Sequence, residues 1–252
     1  MARKHNSYRR RRKGRFSFLG RIFCFFLILG AFVAAVTLLF RIENITVSGN
    51  VRYTQEEVLE ASELQTQRNL FLLNKFDAAQ RIFQKLPYVD SATIRRRLPD
   101  TLEITVQECR PVAAVSAADG VWLVGPSGKL LELCADAPSG CPQVSGLFVQ
   151  TEQVSAMLSF GEENAGRCES LMAFLTAAEE RQMLGEIASV DLADGTCLQF
   201  SYAGRFTVKV PWNADYDYKL RHLLSVQDYL EENEAGTINL LADGKASFVP
   251  EN

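Results

Sequence analysis

Nineteen consecutive residues, Ile22–Phe40 (IFCFFLILGAFVAAVTLLF), carry no charge and no proline, and this run constrains the chain more than any other feature. As a helix it measures about 28 Å, close to the ~30 Å hydrocarbon thickness of a bilayer. Arg21 and Arg41 bracket it and can snorkel to the two interfaces. A buried helix of a water-soluble fold would show a polar face, and this run has none. A cleavable signal sequence has a shorter apolar stretch, about 7–15 residues. The run predicts a single membrane-spanning helix, since no other apolar stretch approaches its length.

Charge gives the helix a direction. Residues 1–21 hold nine of the 27 Lys and Arg residues and no Asp or Glu. The rest of the chain has 18 basic against 30 acidic residues, a net of −12 within a total of −3. Basic residues stay on the cytoplasmic side of a span, so the N-terminus is expected inside and residues 41–252 outside the cytoplasm. The same tail could suggest a nucleic-acid contact. It lacks a fold of its own and has one aromatic, Tyr8, before Phe16, so a topology signal that also attracts anionic headgroups accounts for it. The acidic outer part disfavours direct contact with anionic wall polymers.

Residues 41–111 read as a β-α-α-β-β unit. Ile45 and Val47 alternate with polar residues before a Gly49-Asn50 turn. Thr54 and Glu57 have capping-box spacing and open a short helix. Leu70–Leu73 is a short apolar bridge. Asp77 and Gln80 mark a second helix start, with Ala79, Ile82, Phe83 and Leu86 on one face and Pro87 at the exit. Val89–Arg96 reads as a strand. Beyond the Pro99-Asp100 turn, Leu102, Ile104 and Val106 alternate with Glu103, Thr105 and Gln107, a strand with one buried and one wet face.

Residues 112–252 read as a second, β-rich unit with two helices, giving an α+β chain. Strands are expected at Val112–Val115, Val121–Val124, Lys129–Leu133, Ile187–Leu192, Thr196–Tyr202 and Arg205–Val210. A loop rich in Pro, Gly, Ser and Cys follows Leu133. Amphipathic helices are expected at Glu169–Met183 and Asp215–Glu232, the second through Tyr216, Leu220, Leu223, Leu224 and Gln227. Thr237–Leu241 and Lys245–Val249 are terminal strands joined near Asp243-Gly244.

Chemistry-bearing motifs are scarce. His222 is the one histidine beyond the basic tail, and HExxH, GxSxG, P-loop and GxGxxG patterns are absent. No catalytic residue, metal ligand, cofactor, small-molecule substrate or nucleic acid is therefore expected. The six cysteines include no CxxC pair. Cys134 and Cys141 flank a Pro-Ser-Gly loop that lets them meet, and both a disulfide and two free thiols are compatible with that spacing. Trp122 reads as core and Trp212 as partly exposed. Glu108, at a strand end, reads as a structural partner for a nearby Arg.

The stretch Leu86-Pro87-Tyr88-Val89, Arg95-Arg96-Arg97-Leu98-Pro99, the alternating strand Leu102–Val106 and Glu108-Cys109-Arg110-Pro111-Val112-Ala113 resembles the FtsQ/DivIB family of bacterial cell-division proteins, as does the opening Ile45-Thr46-Val47-Ser48-Gly49-Asn50. The resemblance implies a cytoplasmic tail (1–21), a transmembrane helix (22–40), a POTRA domain (41–111) and a C-terminal β domain (112–252). It implies a non-enzymatic scaffold at the division septum, bound to FtsB/DivIC-type and FtsL-type membrane proteins and supporting septal wall synthesis.

Arg95 and Arg96 are then candidate docking residues, since Arg pairs bidentately with carboxylates. Tyr229, Ile238, Leu240, Lys245 and Phe248 are the candidates around the terminal hairpin, whose edge could receive a partner strand. Asn239 and Leu241 depart from the residues common in the family there. The competing reading is a membrane-anchored POTRA receptor for exported polypeptides, though such receptors stack POTRA units or add a barrel, and neither pattern is visible.

Overall fold

The computed structural model describes residues 14–231, 233–242 and 244–251. The basic tail through Lys13 and the Asp243 half of the expected turn lie outside the described residues. The chain divides into two compact units. One takes in the apolar helix and its exit as far as Thr46, with Gln65–Asn74 and Arg95–Glu103; the other takes in Val47–Leu64, Lys75–Ile94 and Ile104–Asn252. The division does not fall at residues 111/112, and contacts described below explain why.

In the first unit, helix α1 (Gly14–Leu39) runs 26 residues, about 39 Å at the usual rise. It starts eight residues before the apolar run. Its Gly20–Thr37 stretch is long and apolar enough to cross a membrane. Phe23, Phe26, Ile28 and Phe32 are all exposed, as a helix made for lipid requires. Past the helix, Ile42 N donates to Arg68 O at 2.9 Å and Gln67 N to Ile42 O at 2.8 Å. Glu43 N donates to Asp100 O at 2.9 Å.

Three strands, β1 (Asn44–Ser48), β2 (Val89–Arg97) and β3 (Thr101–Glu108), form a sheet in the order β1-β3-β2. Leu102, Ile104 and Val106 are buried, as their alternation predicts.

In the second unit, α2 (Gln55–Ser62) has the expected capping box: Glu57 N donates to Thr54 Oγ1 at 3.2 Å, and Thr54 N to Glu57 Oε2 at 2.7 Å. Helix α3 (Lys75–Lys85) starts two residues before Asp77, just after Asn74, a residue type that favours the N-cap. Its buried face carries Ala78 and Ile82, one turn apart, while Ala79 and Phe83 are only half-buried.

Nine strands make the larger sheet: β4 (Ala113–Ala117), β5 (Gly120–Val124), β6 (Leu130–Cys134), β7 (Gln143–Ser145), β8 (Ile187–Asp191), β9 (Cys197–Tyr202), β10 (Phe206–Pro211), β11 (Gly236–Asn239) and β12 (Ser247–Pro250). The order is β12-β11-β10-β9-β8-β7-β4-β5-β6. Strand β7 lies in the loop region that sequence left without structure. Three residues suffice because it pairs in parallel with both β4 and β8.

Helices α4 (Ala165–Glu180) and α5 (Tyr216–Gln227) pack on one face of this sheet, through Leu171, Phe174, Leu175, Tyr216, Leu220 and Leu223. Both differ in extent from the sequence reading. Helix α4 begins four residues before Glu169. Helix α5 ends well short of Glu232, and its N-cap Asp215 accepts from Tyr218 N at 2.9 Å. On the facing sheet Phe200, Phe206, Val208 and Ile238 are buried.

The far end of the sheet is covered on two sides. Trp122, Val124 and Leu130 join the helix-covered core, whereas Val121, Leu123 and Leu131 form a small cluster with Tyr88, bordered by Tyr53, Cys109, Cys134 and Cys141. Arg52 lies 3.8 Å over the Tyr88 ring and 3.5 Å from Glu132. Lys129, fully buried, donates from Nζ to the carbonyls of Phe83, Leu86 and Val89. These contacts bind residues on both sides of 111/112 into one unit. The outer edge of β6 meets Ser155–Leu158: Leu130 N donates to Ala156 O, Ser155 N to Leu130 O and Leu158 N to Gly128 O, each at 2.8 Å.

Candidate partner-binding surface

The terminal hairpin is built outward from β10. Strand β11 pairs in parallel with β10, placing Val208 opposite Ile238, and β12 pairs antiparallel with β11, placing Ile238 opposite Phe248. No described strand lies beyond β12, which makes it an edge of the sheet. Gly236 makes the pairing feasible, because a Cβ there would sit 2.2 Å from the carbonyl oxygen of Val249.

Two buried or half-buried cations brace the segments around the hairpin, Lys219 from α5 and Arg205 from the turn before β10. Lys219 is buried, and its Nζ donates to Leu240 O at 2.8 Å and Ala242 O at 3.2 Å. Arg205 Nη1 donates to Glu231 O at 3.1 Å and Glu234 O at 3.4 Å, and its guanidinium lies 4.7 Å over the Phe206 ring. These bonds satisfy carbonyls in the segments that enter and leave β11, which belong to no ladder themselves. Sequence reading overlooked Lys219, although it falls three residues after Tyr216 and four before Leu223, squarely on the apolar stripe.

The hairpin candidates separate into two groups. Tyr229 is 89% exposed and Lys245 is exposed. Phe248 is half-buried, its ring edge-on to Phe206 at 6.2 Å. Ile238 and Leu240, by contrast, are core residues with 0% and 1% exposure. That corrects the expectation that their side chains would meet a partner: the covered face of the sheet is the one they point to. Val249, 59% exposed, and Leu241 are the apolar side chains that do face out, and they had not been singled out. Lys245 lies before β12 rather than in it.

Arg95 and Arg96 belong to the other unit and are both exposed. Arg96 is engaged within the chain, donating from Nη2 to Leu73 O at 2.7 Å. Glu108 is structural, but it pairs differently from the expected Arg contact. Its carboxylate accepts from the backbone amides of Val51 (3.0 Å), Arg52 (2.7 Å) and Tyr53 (3.1 Å). Burial alone would raise its pKa, yet the three amides and the nearby Arg52 charge outweigh that and hold it below the usual range. Cys134 and Cys141 border the same small cluster and are free thiols. Trp122 is core, and Trp212 is half-buried with Nε1 donating to Asp194 O at 3.3 Å.

Comparison with known proteins places residues 40–108 in the "POTRA domain, FtsQ-type" family. The chain is 34% identical over 119 residues to the cell division protein FtsQ of Corynebacterium glutamicum, covering 47% of this chain and 52% of that one. It is 32% identical over 94 residues to the cell division protein DivIB of Clostridium acetobutylicum, covering 37% of each. A third match, DivIB of Clostridium botulinum, is 22% identical over 212 residues, 83% of this chain and 81% of that one. The first two alignments thus span about half or less of those relatives.

Proposed function

Since the chain belongs to the FtsQ/DivIB family of cell-division proteins, we propose that it is a non-catalytic scaffold of the bacterial division machinery, anchored by α1. Its basic tail lies in the cytoplasm and its two outer domains lie beyond the membrane. There it binds FtsB/DivIC-type and FtsL-type membrane proteins, and through them supports septal wall synthesis. The observation that carries this reading is the open edge of β12. A guest strand added there would gain backbone hydrogen bonds, while outward side chains such as Val249 would supply selectivity, with the exposed Tyr229 as a further candidate. Confinement of both partners to one membrane raises their effective concentration, so modest pairwise affinity suffices.

The test pairs localisation with capture. A fluorescent protein fused before Met1 should form a midcell band, and depletion of the native copy should give filaments or swollen cells. Full-length chain should capture the FtsB/DivIC-type partner, and a chain lacking Thr237–Asn252 should not. Uniform peripheral fluorescence with normal division would defeat the division role. Undiminished capture by the truncated chain would remove the hairpin as the docking surface.

A further inference from the structure

We propose that the Gln67–Leu73 loop is a second membrane contact, with Phe71 and Leu72 seated in the outer leaflet and Arg41 and Arg68 at headgroup level. The inference rests on α1 being a membrane span and goes beyond the scaffold role.

The loop is tied to the point where the chain leaves the helix. Leu70 N donates to Phe40 O at 2.8 Å, Arg41 bridges Asn69 in antiparallel fashion, and Ile42 N donates to Arg68 O at 2.9 Å. Helix α1 ends at Leu39, one residue earlier. The Phe71 ring packs edge-on against Phe40, with centroids 5.1 Å apart. The apolar surface of the helix therefore continues through Phe40 into the loop.

The loop's own residues divide by direction. Leu70 is fully buried and anchors it, while Phe71 is 49% and Leu72 85% exposed. Asn69 Oδ1 accepts from Phe71 N at 2.8 Å, fixing the turn that aims the two apolar side chains away from the core. Arg96 holds the far end through Leu73 O. Two large apolar side chains held outward by a braced backbone need a nonpolar partner. A bilayer that takes up α1 comes to the level of Phe40, so the leaflet is within reach of Phe71 without any motion of the chain. Exposed Arg41 and Arg68 flank the pair, suited to lipid phosphates.

The experiment uses the full chain in phosphatidylcholine–phosphatidylglycerol vesicles, with and without brominated acyl chains. Leu72→Trp adds an emitter to Trp122 and Trp212 at a position that touches no core. Its added emission should shift to the blue and lose roughly half its intensity in brominated vesicles. A parallel Phe26→Trp variant reports on the span itself. Quenching at residue 26 with none at residue 72 overturns the loop contact and leaves the span standing. Quenching at neither removes the span, and the loop contact with it.

Discussion

The ammonium of Lys129 sits 3.7 Å from the centre of the Phe83 ring and donates to the carbonyl of that same residue at 2.9 Å. Phe83 lies in the last turn of α3, where helix carbonyls lack intrahelical partners and the dipole favours a cation. Leu86 and Val89 supply two more acceptors, so three ammonium protons meet three carbonyls. One side chain from the β5–β6 turn thus serves a helix end and a strand start some forty residues earlier in the chain.

Replacing Lys129 with Met keeps the stem and removes every donor. The orphaned carbonyls should cost about 2–4 kcal/mol of stability. Urea unfolding of the full chain in detergent would read this as a lower midpoint, with faster amide exchange around residues 83–89.

The same residue sets a pH dependence. Burial pushes Lys129 down from 10.5 to about 8, with nearby Cys109 and Asp90 acting in the opposite sense. Between pH 8 and 10.5 the unfolded chain therefore holds the extra proton, and the contribution of this group to stability rises across that window. Below pH 8 it is constant. Unfolding free energies measured from pH 7 to 10.5 should show this slope in the parent, and Lys129→Met should remove it.

Local patterns in the sequence foretold the pieces whose causes are local. Thr54 and Glu57 cap α2 across three residues, and Leu102, Ile104 and Val106 declare a half-buried strand by their period. Lys129 carries no such mark, because its acceptors lie 40–46 residues away. Period two also explains the hairpin error. Ile238 and Leu240 must share a face, yet which face is covered depends on α5, which packs against the sheet from elsewhere in the chain. Strand β7 escaped because three residues are too few for any period to register.

Gly236→Val should disrupt β12 selectively. The new Cβ would collide with Val249 O, and relief requires the outer strand to detach. The expected cost is about 1–3 kcal/mol. Partner capture should be lost while near-ultraviolet signals from the Phe174–Phe200 core persist.

Two further substitutions should separate packing from docking. Ile238→Ala should destabilise by about 2–4 kcal/mol, as for other fully buried aliphatic side chains. Tyr229→Ala should leave stability within about 0.5 kcal/mol. If Tyr229 is a docking anchor, the same change should weaken capture roughly tenfold. Thermal unfolding and a pull-down titration on each variant would decide this.

Cys141 should be a slow nucleophile. Burial pushes its thiol up to about 11 from 9.0. At pH 8 that leaves roughly a hundredfold less thiolate than an ordinary cysteine. Mass spectrometry after iodoacetamide should find Cys141 modified only on denaturation, without prior reduction. A need for reductant would instead reveal a Cys134–Cys141 disulfide.

The two ends of the nine-stranded sheet are unequal: no described strand lies beyond β12, whereas β6 is met at Leu130 by Ser155 and Ala156. Fibres built by stacking sheets end to end need every copy to be sticky at both ends. In this sheet the segment over Leu130 shortens the free run of β6. Such a cap works against end-to-end stacking of copies and leaves β12 the less obstructed edge of this sheet.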